Sequence, residues 1–160
     1  MRLGEHRYEL RLDWTGDRGE GTSGYRAYDR DHVVAADGKL HDLAGSSDRA
    51  FHGDRARWNP EELLLAALAD CHMLSYLHVA TRHGVVVRGY SDVPTGLLQE
   101  DGRGGGAFVE AVLRPRVVVA DASMREQALA IHAEASALCF IRASVAFPVR
   151  HEPTVEVLGD

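Results

Sequence analysis

Residues 59–84 read NPEELLLAALADCHMLSYLHVATRHG, and this stretch decides the fold. Asn59 is a favourable N-cap, Pro60 suits the first helical position, and Glu62 stands where a capping box places its acid. The apolar run that follows ends at His83-Gly84, a typical helix stop. The stretch therefore predicts one long helix of about two dozen residues.

This predicted helix is apolar on nearly every side, a composition typical of a helix inside a core rather than on a surface. At 1.5 Å per residue it would extend about 36 Å, which is long for a chain of 160 residues. One chain of that size would have difficulty covering it. We therefore expect a partner chain.

The sequence around the helix predicts strands. Residues 7–14 alternate charged and apolar side chains, a period of two that indicates a half-buried strand. Ser123 and Glu126 form a second capping-box pattern, followed by a helix that ends at Cys139. Further strand patterns cover residues 25–36, 39–43, 85–98, 108–119 and 147–157, with a tight turn at 37–38 and a glycine-rich hairpin loop at 102–106. This order predicts an α+β fold with antiparallel sheet.

Composition limits the possible partners. The chain reads as one domain, residues 1–160, without repeats or a linker. A net charge of −6 argues against a nucleic-acid binder, which needs clustered Lys and Arg. Residues 1–6 are charged and polar, unlike a signal peptide, and no apolar run reaches the length of a membrane span. We expect a cytoplasmic protein with no membrane partner.

The chain has two cysteines, Cys71 and Cys139, 68 positions apart. A permanent disulfide is a poor expectation in a reducing compartment, which leaves buried inert thiols or working thiols. Both positions lie on predicted helices and could face one another. By residue type alone, each could equally be a small core hydrophobe.

The nine histidines raise the question of a metal site. His72, His78 and His83 follow one another at intervals of six and five, and neither interval is the i, i+4 spacing that places two ligands together. His132 and His151 have no obvious partners in the sequence. We therefore expect no metal.

Several motifs in order resemble the OsmC/Ohr superfamily. They are NPEELL at 59–64 with a cysteine ten residues after Glu61, CHML at 71–74, DRAFHGD at 48–54 and CFIRASVAFPV at 139–149. The similarity extends from about Trp14 to Pro153. It implies an OsmC-like fold, with an antiparallel sheet wrapped around a long central helix, in an intertwined homodimer.

The resemblance also implies a thiol-dependent peroxidase that reduces organic hydroperoxides. Cys71 would attack the peroxide and become a sulfenic acid, Cys139 would resolve it to a disulfide, and an external dithiol would restore both thiols. No metal or organic cofactor is expected.

The superfamily activates its first cysteine with an arginine held by a glutamate. The glutamate corresponds to Glu61, which lies about 15 Å along the helix from Cys71, so it would have to serve the cysteine of the other subunit. The arginine corresponds best to Arg30, and Arg49 and Arg57 are competing candidates. Asp70 precedes Cys71, and since helical neighbours diverge by about 100° we expect it to face away.

Two other functions remain open. The protein could be a non-enzymatic dimer that binds a small hydrophobic ligand, with the cysteines only lining the pocket. It could also be a thioesterase, since a sheet around a long helix suits acyl-thioester hydrolysis. Loss of function in Cys71→Ser argues against the binder, and loss after alkylation of both thiols argues against the thioesterase.

Overall fold

A computed structural model describes residues 4–159. These residues form two compact units, divided between Leu63 and Leu64. The mixture of helices and predominantly antiparallel strand pairs confirms the predicted α+β class. The expectation of a single domain over 1–160 stays a prediction.

The first unit contains a three-stranded antiparallel sheet of β1 (Arg11–Trp14), β2 (His32–Ala35) and β3 (Leu43–Gly45). The predicted turn between the second and third strands is present, and Gly38 there has a φ of 75°, which favours glycine. A 3₁₀ turn, Arg49–Phe51, follows the sheet.

The strand predicted for residues 7–14 is confirmed over the shorter span of β1, but its burial was predicted wrongly. All four residues of β1 are exposed. Tyr8, Leu10 and Leu12, which belong to the apolar side of the pattern, are exposed by 92%, 62% and 59%. The alternation correctly indicated an extended segment, but among residues 4–159 no core covers its apolar face.

Helix α1 (Pro60–Arg82) follows the prediction closely. Asn59 Oδ1 accepts a hydrogen bond from the Glu62 backbone N–H at 2.8 Å, and Glu62 Oε2 accepts one from the Asn59 N–H at 3.3 Å. This reciprocal pair is the predicted capping box. At the other end Gly84 has a φ of 69°, the left-handed conformation that ends a helix.

Only part of α1 is covered. Leu68, His72, Tyr76, Val79 and Ala80 are buried, at helical spacing along one side. By length and a mean hydropathy of 1.5, α1 alone would pass for a membrane span, but this buried side is typical of a core helix. The expectation that α1 is buried all round is wrong for the single chain, and a partner chain stays a prediction.

The second unit adds two three-stranded sheets. One has the order β4 (Val87–Ser91), β7 (Arg116–Val119), β9 (Thr154–Val157), and the other has the order β5 (Thr95–Glu100), β6 (Gly106–Leu113), β8 (Val149–His151). The first pair in each sheet is antiparallel and the second pair is parallel. The predicted hairpin loop joins β5 to β6, whereas the strand predicted for 85–98 divides between the two sheets.

Both sheets pack against α1. Towards its start, Leu68 contacts a cluster from β6 and β8 that contains Ala111, Leu113 and Val149. Further along, Tyr76, Val79 and Ala80 join a larger cluster whose other members are Val85, Val117, Val119, Ala128, Ile131, Ala135 and Val155. The side of α1 that carries His72 is thereby fixed in the core.

The helix predicted from Ser123 to Cys139 is divided into α2 (Arg125–Ala130) and α3 (His132–Leu138), and a further short helix, α4 (Phe140–Ala143), follows it. The capping box predicted at Ser123 is wrong. Asp121 is the residue that caps the preceding 3₁₀ turn, since its side chain accepts from the Ser123 backbone N–H. Cys139 follows the last residue of α3, which confirms the predicted helix end, and the new feature is that α4 begins directly after it.

Candidate active site

Cys71 lies on α1, half-buried, and borders a cavity of about 620 Å³. Most of the lining is apolar, and it includes two residues from the end of α3 and the start of α4, Leu138 and Phe140. The full lining is Ala67, Asp70, Cys71, Leu74, Ser75, His78, Leu138, Phe140 and Ile141. A small molecule with an apolar body would therefore reach the Cys71 thiol.

Cys139 is 1% exposed and has the extended backbone conformation, φ −75° and ψ 109°, that separates α3 from α4. Its Sγ accepts a hydrogen bond from the Arg142 backbone N–H at 3.4 Å, in the position of an N-cap side chain. The break in the helix thus fixes the place of this sulfur.

The structure brings the two thiols together. Both are free, and the Cys139 thiol forms a hydrogen bond with Cys71. Burial, as the main cause, and this hydrogen bond raise the pKa of the Cys139 thiol to about 11. The Cys139 thiol therefore keeps its proton at neutral pH.

Asp70 also borders the cavity, so the expectation that it faces away from Cys71 is wrong. It is exposed, and its carboxylate adds negative charge at the rim.

Glu61 lies in the first turn of α1, half-buried, ten residues before Cys71 in the same helix. A negative side chain there also stabilises the positive end of the helix dipole. The role that the resemblance implies for Glu61 across a dimer stays a prediction.

Arg30, the preferred candidate for the activating arginine, is held within its own loop. Its guanidinium donates to the carbonyl oxygens of Tyr28 and Tyr25, each at 2.7 Å. The same group lies over both tyrosine rings, 4.2 Å and 4.5 Å from their centroids. Arg30 is thus preorganised by its neighbours, and its role towards a thiol stays a prediction.

The competing arginines differ from Arg30 in their partners. Arg57 forms ion pairs with Asp31 at 3.0 Å and with Asp54 at 3.7 Å. Arg49 lies in the 3₁₀ turn and lines a smaller polar cavity in the first unit together with Arg57. Because its charge is matched by two carboxylates, Arg57 is the weaker candidate for a thiolate partner.

Three histidines that the sequence left without partners form a cluster in the core. His72 Nε2 and His132 Nδ1 share a hydrogen bond of 3.0 Å, and the rings of His72 and His151 lie 4.2 Å apart. Burial is the largest cause that lowers the pKa of His72 to about 3 and that of His132 to about 4. We call His72, His132 and His151 the histidine cluster.

The histidine cluster draws on α1, α3 and β8, and its hydrogen-bonded pair is separated by 60 residues. No local pattern could have indicated it. Within residues 4–159, no group of three or more His, Cys, Asp or Glu side chains is arranged to hold a metal ion. The pKa of His151 is lowered as well, by burial and then by the charge of Arg142, and burial acts in this direction on every imidazole removed from water.

Comparison with known proteins decides the family. Residues 52–154, more than half of the chain, match the family model described as OsmC-like protein. The chain belongs to the OsmC-like family. This membership confirms the resemblance seen in the motifs around Cys71 and Cys139, and no curated protein matches the sequence.

Solved structures of OsmC-like and organic hydroperoxide resistance proteins share the fold. An OsmC-like protein of unknown function from Vibrio cholerae has a TM-score of 0.83 and 28% identity, covering 94% of this chain and 100% of that chain. An organic hydroperoxide resistance protein OsmC from Legionella pneumophila has a TM-score of 0.67 and 19% identity, covering 95% and 99%. One from Elizabethkingia anophelis has a TM-score of 0.64 and 14% identity, covering 96% and 99%.

Proposed function

We propose that this OsmC-like protein is a thiol-dependent peroxidase that reduces organic hydroperoxides. The observation that carries the proposal is the contact between the Cys71 and Cys139 thiols beside an apolar cavity. Family membership and the likeness to organic hydroperoxide resistance proteins support the same chemistry.

The proposed reaction has three steps. The Cys71 thiolate attacks the terminal oxygen of the hydroperoxide, the O–O bond breaks, and the leaving alkoxide takes a proton to become an alcohol. Cys139 then attacks the sulfur of the Cys71 sulfenic acid, which forms the disulfide and releases water. An external dithiol reduces the disulfide by exchange and returns both thiols.

The structure supports this division of roles. Cys139 is buried and holds its proton, with a pKa of about 11, so it is poorly suited to attack a peroxide directly. Cys71 borders the cavity where a substrate would lie. These two environments support attack by Cys71 and resolution by Cys139.

The cavity also favours one kind of substrate. Its lining is mainly apolar, which suits a hydroperoxide with a hydrocarbon body. The Asp70 carboxylate at the rim repels an anionic hydroperoxide. We therefore infer that uncharged alkyl and aryl hydroperoxides are the preferred substrates.

The remaining proposals concern the second subunit. Large apolar side chains are exposed in the single chain, among them Tyr8 by 92%, Leu74 by 57% and Phe140 by 79%. Exposure of this kind supports a homodimer, in which Glu61 and Arg30 would complete the site at the partner's Cys71. The two free thiols suit a reducing cytoplasm.

A second candidate function is a dimer that binds a small hydrophobic ligand without catalysis. The observation that favours it is the size of the apolar cavity, about 620 Å³, which falls within the range of ligand pockets. In that case the thiols would be part of the lining only.

Steady-state peroxide consumption tests the proposal. With cumene hydroperoxide and a dithiol reductant, wild-type protein should turn over, and Cys71→Ser should lose on the order of 100-fold or more of that rate. Thr81→Ala, at an exposed position of α1 outside the cavity lining, serves as the matched control and should stay within about threefold. Equal consumption by wild type and Cys71→Ser would refute the peroxidase and favour the binder.

A further inference from the structure

The hydrogen bond between His72 and His132 joins the two elements that carry the thiols. His72 is the residue after Cys71 on α1, and it points into the core while Cys71 borders the cavity. His132 is the first residue of α3, and Cys139 directly follows the last residue of that helix. The bond length is 3.0 Å, and both side chains are buried, at 0% and 4% exposure.

The pair is held in one arrangement by aromatic rings on either side. The His151 ring lies 4.2 Å from that of His72, and the Tyr76 ring stacks on His132 at 4.2 Å. Tyr76 is fixed in turn, since its O–H donates to the Ala128 carbonyl oxygen at 3.0 Å. Neither imidazole can leave the bond without displacing a packed neighbour.

Other contacts of α3 restrain it less specifically. Ala135 and the adjoining Ile131 pack into the larger apolar cluster, and such contacts permit small shifts of a helix. The ion pair of Glu134 with Arg82 lies at the far end of α1. The hydrogen bond of Glu134 with His83, at 2.7 Å, lies beyond that same end of α1. Apart from the contact between the thiols themselves, the His72–His132 bond is therefore the directional contact described for α3 beside Cys71.

We infer that His72 and His132 are positioning residues for disulfide formation, because their hydrogen bond fixes α3, and with it Cys139, against Cys71. The inference rests on the proposed peroxidase function. It concerns the second chemical step and leaves the first to Cys71 and the cavity.

The chemistry explains why the two steps differ. In the second step the Cys139 sulfur gives up its proton and bonds to the Cys71 sulfur, while the S–O bond of the sulfenic acid breaks and the hydroxyl leaves with that proton as water. This needs the two Cα atoms within about 7 Å and the sulfurs in line, a geometry sensitive to shifts of about 1 Å. Attack on the peroxide needs no alignment of the two sulfurs, and of the residues that line the cavity α3 contributes only Leu138, so this step depends less on the position of α3.

A matched pair of variants separates the hydrogen bond from the shape of the side chain. In His132→Asn the amide occupies the place of Nδ1 and can keep the bond, whereas His132→Leu has nearly the same outline and no polar atom. Single-turnover reactions with cumene hydroperoxide, stopped by acid and resolved by intact mass, give the rates of sulfenic acid and disulfide formation for each.

We expect sulfenic acid formation within about twofold of wild type in both variants. Disulfide formation should slow on the order of 10-fold or more in His132→Leu and within about threefold in His132→Asn. The measurement is made well below the melting temperature of each variant, where a loss of stability alone leaves the folded protein's rates unchanged. His72→Gln and His72→Met form a second pair, used if His132→Leu does not fold.

Three results would overturn the inference. Disulfide formation at the wild-type rate in the apolar variant shows that the bond is dispensable, and equal slowing in both members of a pair shows that the polar atom is not the cause. Equal slowing of both steps shows a general disturbance of the site. If wild type itself forms no disulfide, the proposed function has failed instead, so the two failures are distinguishable.

Discussion

Acid should destabilise this protein through its histidine cluster. The pKa of His72 is lowered to about 3 and that of His132 to about 4, in both cases mainly by burial, against about 6.5 for an exposed imidazole. The pKa of His151 is lowered too, by burial and then by Arg142. Below pH 6.5 these histidines therefore bind protons in the unfolded chain but not in the folded chain. The free energy of unfolding decreases as the pH falls.

The magnitude follows from the size of these shifts. Between the pKa of an imidazole in the unfolded chain and its lower pKa in the folded chain, each unit by which the pH falls lowers the free energy of unfolding by about 1.4 kcal/mol. From pH 7 to pH 5 this is about 2 kcal/mol each for His72 and His132. Because the unfolded chain protonates the two imidazoles independently, the two losses add, and we expect a total loss of about 4 kcal/mol, a large share of the 5–15 kcal/mol typical of a domain.

Urea unfolding at pH 7, 6 and 5, at one protein concentration, measures the effect. His132→Asn removes one buried imidazole and should reduce the slope by about 1.4 kcal/mol per pH unit. His41→Asn, at an exposed position, is the control and should reproduce the wild-type slope. A free energy of unfolding that changes by less than about 1 kcal/mol between pH 7 and pH 5 would refute the reasoning.

Three further predictions concern single side chains. Asn59→Ala removes the capping-box acceptor of the Glu62 N–H and should lower the free energy of unfolding by about 1 kcal/mol in urea titrations. An unchanged free energy of unfolding would show that the cap does not stabilise the protein. Leu68→Ala leaves a cavity at a fully buried position and should lower the free energy of unfolding by about 2–5 kcal/mol. Leu40 is 93% exposed, and Leu40→Ala should lower it by less than about 0.5 kcal/mol. Similar losses in the two variants would contradict the assigned core. Asp70→Asn should speed reduction of a carboxylate-bearing hydroperoxide about fivefold at low salt and leave cumene hydroperoxide unchanged, and equal effects on both would exclude rim charge as the cause.

The long helix was predictable because its signals are local. Asn59, Pro60 and Glu62 mark its start and Gly84 its end through backbone and side-chain preferences that act within a few residues. Family motifs around Cys71 and Cys139 indicated the thiol pair for a similar reason, since each motif is a short continuous segment. The contact between the two sulfurs became visible only in the folded chain.

Features that depend on packing between distant segments could not be predicted from the sequence. Ser123 matched a capping pattern, yet Asp121 supplies the cap, because the chain turns two residues earlier than the pattern implied. The partners of His132 lie on α1 and β8, and residues so far apart in the chain meet only through the tertiary fold. Asp70 borders the same cavity as Cys71, which helical spacing alone did not predict.

The most direct test of the central claim is the intact mass of the protein before and after one equivalent of cumene hydroperoxide. The account predicts that wild type loses two hydrogens as Cys71 and Cys139 form a disulfide, that Cys71→Ser does not change, and that Cys139→Ser gains one oxygen. Two thiols that stay free in wild type and react only after unfolding would contradict it, and would identify the cysteines as core packing.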